Sequence, residues 1–132
     1  MQGTDAPVRT IVLEYIKRQY HAEPEYLWAR YPDYAVFRHK ENCKWFAVIM
    51  DVPKRKIGLL GEDIVWILNV KVADKLFHDT LARQDGFLPG YHMNKAAWIS
   101  ILLDGTVPAE TVFQLIDDSF DATGKTKGSV KG

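Results

Sequence analysis

Between residues 38 and 56 lie six cations, Arg38, Lys40, Lys44, Lys54, Arg55 and Lys56, against two anions, Glu41 and Asp51. Lysine and arginine on a hairpin and its adjoining loop can neutralise phosphates, the sequence-independent part of nucleic-acid affinity. A two-stranded ribbon also fits the major groove of a duplex. Lys71 and Lys95 add to the set if their strands lie alongside. The same charges have a second use, because charged edge strands resist edge-to-edge aggregation. Further on, His92 and Asn94 sit near Trp98. Polar groups beside an aromatic suit a small ligand or a base, and the same two side chains also suit the satisfaction of loop backbone groups.

No other constellation reaches chemistry. His39 and Cys43 flank a turn, and no further pair at metal-ligand spacing follows, so no metal site is expected. Cys43 has no identifiable base to activate it as a nucleophile. Ser100 and Ser119 lack a G-x-S-x-G context. Gly124-Lys125-Thr126 resembles the end of a phosphate-binding loop but has no glycine loop before it. The expectation is a protein with no catalytic residue and no cofactor. The four tryptophans, Trp28, Trp45, Trp66 and Trp98, read as core and sheet-face residues. They become stacking platforms if two of them sit exposed beside the basic hairpin.

The elements that must position these residues belong to one domain, since the chain has 132 residues. Its 17 basic and 17 acidic residues cancel, which argues against a strong non-specific nucleic-acid binder but leaves room for a local patch. An opposing acidic group falls near the last helix, at Asp104, Glu110, Asp117, Asp118 and Asp121. The single cysteine rules out an intrachain disulfide and fits a reducing compartment. There is no apolar run of signal-peptide type and none of membrane-span length. A soluble, cytoplasmic monomer is expected, with no membrane partner.

A first helix is capped by Thr4 or Asp5, carries Pro7 in its first turn and a stripe of Val8, Ile11, Val12, Tyr15 and Ile16, and ends near residues 20–22 before Glu23-Pro24. In the next strand Ala35, Phe37 and His39 share one face, and Val36, Arg38 and Lys40 the other. After a turn at Glu41-Asn42-Cys43, the return strand places Phe46, Val48, Met50 and Val52 together, and Trp45, Ala47, Ile49 and Asp51 opposite. A third strand, 63–72, has an apolar face of Ile64, Trp66, Leu68, Val70 and Val72. Asp74 caps a short helix with Leu76, Phe77, Thr80 and Leu81 inward. Residues 87–90 read as loop, 91–95 as a short strand and 98–103 as a firmer one. Pro108 opens a last helix with Val112, Phe113, Ile116 and Phe120 on one face. The order is α-β(3)-α-β(2)-α. It predicts a two-layer α+β fold, one antiparallel sheet with helices on one face and the other face partly open. The domain is expected over residues 1–121, with a flexible basic tail at 122–132.

Four segments in order carry a family resemblance. They are Tyr31-Pro32-Asp33-Tyr34-Ala35-Val36-Phe37-Arg38-His39-Lys40, then Lys44-Trp45-Phe46-Ala47, then Ile67-Leu68-Asn69-Val70-Lys71, then Gly90-Tyr91-His92-Met93-Asn94-Lys95 followed by Trp98-Ile99-Ser100. Together they resemble the MmcQ/YjbR family, over nearly the whole chain to about Phe120. The chain departs from that pattern at Ala97, where the family often has a bulky or basic residue, and at Ala73-Asp74, where it has a proline. The resemblance implies a fold like that of CyaY and the secretion chaperones, with the element order read above. It also implies DNA binding through a double-wing arrangement, which points to the hairpin Val36–Met50 and the loop Lys54–Lys56. The alternative is a protein-interaction adaptor without catalytic activity, meeting a protein partner through an exposed apolar patch or an open strand edge.

Overall fold

A computed structural model describes residues 7–124. The elements are α1 (Val8–Tyr20), β1 (Ala35–Arg38), β2 (Trp45–Pro53), a 3-10 turn (Lys54–Ile57), β3 (Ile64–Lys71), α2 (Lys75–Ala82), β4 (Phe87–Pro89), β5 (Trp98–Leu102) and α3 (Ala109–Gly124). The α+β fold read from the sequence is the one observed. The sheet is antiparallel throughout, in the order β1-β2-β3-β5-β4.

Each helix is set by its ends. α1 follows Pro7, whose carbonyl accepts from the Thr10 and Ile11 N–H groups; Thr4 and Asp5, the expected caps, lie outside the described residues. It stops at His21, which takes the left-handed conformation at φ 54° and donates its N–H to the Lys17 carbonyl. Asp74 caps α2 as expected, its carboxylate accepting from the Phe77 N–H at 3.0 Å. The inward face of α2 differs from the expected one. Leu81 is buried, but Leu76 and Phe77 are 68% and 45% exposed and Thr80 is also exposed. The second buried residue is His78, whose Nε2 meets the Trp98 carbonyl at 2.9 Å. That bond to the start of β5 sets the rotation of this two-turn helix. α3 runs through Gly124, three residues beyond the expected domain end; residues 125–132 of the expected tail lie outside the described residues.

The main core lies between the helices and one sheet face. It includes Val12 and Ile16 of α1, Phe37, Phe46, Ile49, Leu68, Val70, Ile99 and Ile101 of the strands, and Val112, Leu115 and Ile116 of α3. The opposite face, expected to be partly open, holds a second buried cluster of Tyr34, Val36, Val48, Met50, Val52, Val65, Ile67 and Leu102. No helix covers it. Trp28, Ile57, Leu59 and Tyr91, all from connecting segments, pack over it instead. Alternation along β2 and β3 makes both faces apolar, and a face lined by valine and isoleucine must be removed from water.

Two local departures matter for the site. The β1–β2 register pairs Phe37 with Ala47 but Arg38 with Trp45, so Phe46 is an extra residue in β2. Such a bulge reverses the alternation. Phe46 therefore turns to the helix side, against Tyr20, His39 and Phe120, and Trp45 turns to the second face, the reverse of the period-two reading. The short edge strand is Phe87–Pro89 rather than 91–95. Proline is tolerated at a sheet edge, while residues 91–93 form a turn with His92 at φ 61°.

α3 is joined to the sheet through Ser119, which is fully buried. Its hydroxyl donates to the Phe46 carbonyl at 2.7 Å and accepts from the Lys71 N–H at 2.9 Å. It thus bridges β2 and β3 just beyond their last paired residues, Val48 and Asn69. Ser119→Ala orphans both backbone groups and should lower stability by roughly 1–3 kcal/mol, read as a reduced urea midpoint at unchanged slope. An unchanged midpoint would contradict the bridge.

Candidate nucleic-acid interface

β2 has nine residues, so its ends are ~30 Å apart at the usual strand rise. The hairpin turn carrying Lys40 and Lys44 lies at one end, and the 3-10 turn carrying Lys54, Arg55 and Lys56 at the other. The cations expected to gather on hairpin and loop therefore form two groups. In the second group, Lys54 Nζ lies 4.0 Å from Asp63, and Arg55 Nε donates to Glu62 at 2.8 Å. Lys56 is exposed and faces a small cleft with Tyr91 and Lys95. The Lys95 ammonium is itself engaged, donating to the Gly90 carbonyl at 2.8 Å.

The first group is built differently. Antiparallel pairing sets Arg38 opposite Trp45, and Lys71 opposite Trp98. Alternation places all four on the face away from the helices, because Phe37, Val70 and Ile99 point into the main core. Across β1, β2, β3 and β5 the row reads Arg38, Trp45, Lys71, Trp98: cation, aromatic, cation, aromatic. All four are half-buried. Trp28 stands edge-on to Trp45 at 5.9 Å and to the buried Tyr34 at 5.8 Å, and Tyr31 stacks on Tyr34.

Arg38 is forked onto Glu25, with Nε donating to Oε2 at 3.0 Å and Nη2 to Oε1 at 2.8 Å. This hydrogen-bonded carboxylate raises the guanidinium pKa further. The Glu25 backbone also exchanges two 2.9 Å hydrogen bonds with Val36, closing the outer edge of β1 at that point. Lys40, Lys44 and Lys71 have no carboxylate within ion-pair distance among the described residues.

The hairpin turn is fastened to the end of α3. Thr123 Oγ1 donates to the Ser119 carbonyl at 2.8 Å and so accepts from His39 Nε2, 2.9 Å away. The His39 ring is buried beside Phe46 and Phe120. Burial holds its pKa below the ordinary histidine value. Asn42 donates to the Thr123 carbonyl at 2.9 Å and accepts from the Lys44 N–H at 2.8 Å. Asn42 thereby satisfies one of the carbonyls that end α3 without a helical partner. Beside this fastening is a cleft of about 630 Å³ that carries Arg38 and Lys40 but also Glu41 and Asp121. Among the described residues, no three histidine, cysteine or acidic side chains gather as a metal site.

His92, Asn94 and Trp98 do not converge on a cavity. Asn94 organises its own loop: its Oδ1 accepts from the Ala96 N–H, and its carbonyl from the Ala97 and Trp98 N–H groups. His92 is exposed, its ring 4.0 Å from that of Tyr91. The buried polar residues here are Asn69 and Ser100, both fully buried. Ser100 Oγ donates to Asn69 Oδ1 and accepts from the Tyr91 N–H at 2.9 Å, and Asn69 Nδ2 donates to the Tyr91 carbonyl at 3.0 Å. The sequence signal for this pair is an asparagine in the middle of an otherwise apolar strand, which demands a partner.

A family model described as YjbR matches residues 17–122. The chain is 41% identical over 115 residues to the uncharacterized protein YyaQ of Bacillus subtilis strain 168, a match covering 87% of this chain and 97% of that one. A crystal structure of a Pseudomonas syringae protein, also 41% identical, superposes with a TM-score of 0.84 over 87% of this chain and 97% of its own. A crystal structure of a Deinococcus radiodurans protein with a DUF419 domain, 22% identical, shares the fold with a TM-score of 0.68 over 97% of this chain and 90% of that one.

The lowered pKa of His39 fixes a direction of pH dependence. The unfolded chain takes up the proton near the ordinary value of about 6.5, while the folded chain resists it. This contribution is full above that pH and is lost as pH falls toward the folded pKa. The melting temperature should fall between pH 7 and pH 5, and more steeply than in His39→Gln. Equal slopes in the two proteins would contradict the assignment.

Proposed function

The chain belongs to the YjbR family, and from that premise we propose that it is a non-catalytic nucleic-acid-binding module whose contact surface is the hairpin end of the sheet. One observation carries the reading. Lys40 and Lys44, exposed at the hairpin turn, and Lys71, at the last residue of β3, all lie at this end of the sheet and have no carboxylate partners among the described residues. Such ammonium groups suit phosphate contacts. The 3-10 turn is left out of the surface because Lys54 and Arg55 already face Asp63 and Glu62. With about three phosphates neutralised, log affinity should fall with log salt at a slope of about −2 to −3. A cytoplasmic monomer is part of the proposal. The three-residue β4 and the Glu25-closed edge of β1 leave little strand edge for a second copy.

A second reading, the protein-interaction adaptor, is favoured by Leu76 and Phe77, adjacent and exposed on α2. A protein that co-purifies with the wild type but not with Leu76→Asp/Phe77→Asp, in the absence of nucleic-acid affinity, would favour it.

The primary test is anisotropy titration of labelled 20-mer DNA, single-stranded and duplex, at 25 and 150 mM salt. Binding is expected at the lower salt, weakened about tenfold by Lys44→Ala/Lys71→Ala with a shallower salt slope. Lys54→Ala/Arg55→Ala should change it little. No binding of either DNA at low salt, or binding indifferent to Lys44 and Lys71, overturns the reading.

A further inference from the structure

Resting on the nucleic-acid reading above, we infer that the ligand is single-stranded, with unpaired bases stacked on Trp45 and Trp98 to either side of Lys71. The two tryptophans stand on β2 and β5 with β3 between them, so they are ~10 Å apart at ordinary strand spacing. Lys71 lies between them on the same face, placed to meet a phosphate of a strand laid across the sheet. Arg38, its guanidinium already held by Glu25, only ends the row at the β1 edge, and Lys44 is exposed at the adjoining turn. Aromatic rings alternating with cations are the general means by which a sheet face holds single strands, because every unpaired base offers a π-face.

Four features fix the row in place. The Phe46 bulge turns Trp45 to this face. The Ser119 hydroxyl ties β2 to β3 at the level of Lys71. Gly90 leaves room for Trp98, since a Cβ there would lie 2.7 Å from the Trp98 Cβ. The Asn94 carbonyl holds the Trp98 N–H at 2.9 Å. A duplex suits the site poorly. Its bases are stacked on each other, so it offers the tryptophans nothing. A groove-entering ribbon would have to project freely, whereas the hairpin turn is fastened to α3 through His39 and Asn42.

The experiment measures affinity for an oligothymidine 15-mer and for a duplex of equal length at low salt. It uses the wild type, Trp45→Leu, Trp45→Phe and Lys44→Ala/Lys71→Ala. The single strand should bind more tightly than the duplex and quench the wild-type tryptophan fluorescence, which gives a readout that needs no variant. Trp45→Leu should weaken single-strand binding roughly tenfold, with Trp45→Phe retaining most of it. Duplex bound as tightly as single strand, with no quenching and no effect of Trp45→Leu, overturns stacking; if Lys44→Ala/Lys71→Ala still weakens both ligands, the phosphate reading stands alone. Failure to bind either nucleic acid overturns both.

Discussion

A buried amide must find partners, and Asn69 lies fully buried in the middle of β3. Its partners are the Ser100 hydroxyl on the neighbouring strand and the Tyr91 carbonyl in the loop before β5. Those bonds bring Tyr91 down onto a sheet face that no α-helix among the described residues reaches. Tyr91 then closes that face together with Ile57 and Leu59 from the β2–β3 connection and Trp28 from the α1–β1 connection. The sheet can be apolar on both sides only because loops fulfil the role of a second helical layer. Where their cover thins, at the hairpin end, four strands present Arg38, Trp45, Lys71 and Trp98 half-exposed. The candidate surface is thus a consequence of how the second face is closed.

α3 positions the same end from the opposite side. Ser119 holds β2 and β3 through one hydroxyl, and one turn later Thr123 receives His39 and Asn42. Tyr15 and Tyr20 of α1 both donate to Asp117 on α3, and burial beside that carboxylate raises both phenol pKa values, Tyr15 to about 12. The hairpin, α3 and α1 are therefore joined by polar contacts as well as by the main core. This favours a rigid sheet face as the contact element over a mobile wing, and rigidity limits the ordering cost of binding.

Much of the fold was legible because it rests on local periodicity. The alternation in β3, the Asp74 cap, the break at Glu23-Pro24 and the stripe of α3 are visible residue by residue. What escaped depends on contacts distant in sequence. The Phe46 bulge leaves no local trace and reverses two predicted faces. α2 is rotated by the His78 bond to Trp98, which no eight-residue pattern encodes. The edge strand fell a few residues early because Pro89 reads as loop chemistry. At the site, composition marked the cations but not their separation, which follows from β2 being nine residues long. Ser119 and Asn69 were inconspicuous because their role is to satisfy backbone groups on other elements, and Trp45 because its face depends on the bulge.

The most direct measurement is an NMR titration of the labelled protein with oligothymidine, following the four tryptophan indole N–H signals. Trp66 serves as an internal reference, since it packs on the helix side under the Arg9 guanidinium at 4.3 Å. The Trp45 and Trp98 signals should shift together with the Lys44 and Lys71 amides while Trp66 stays in place. Shifts confined to Lys54–Lys56 or to the outer face of α2, with Trp45 and Trp98 unmoved, would contradict the hairpin-end surface.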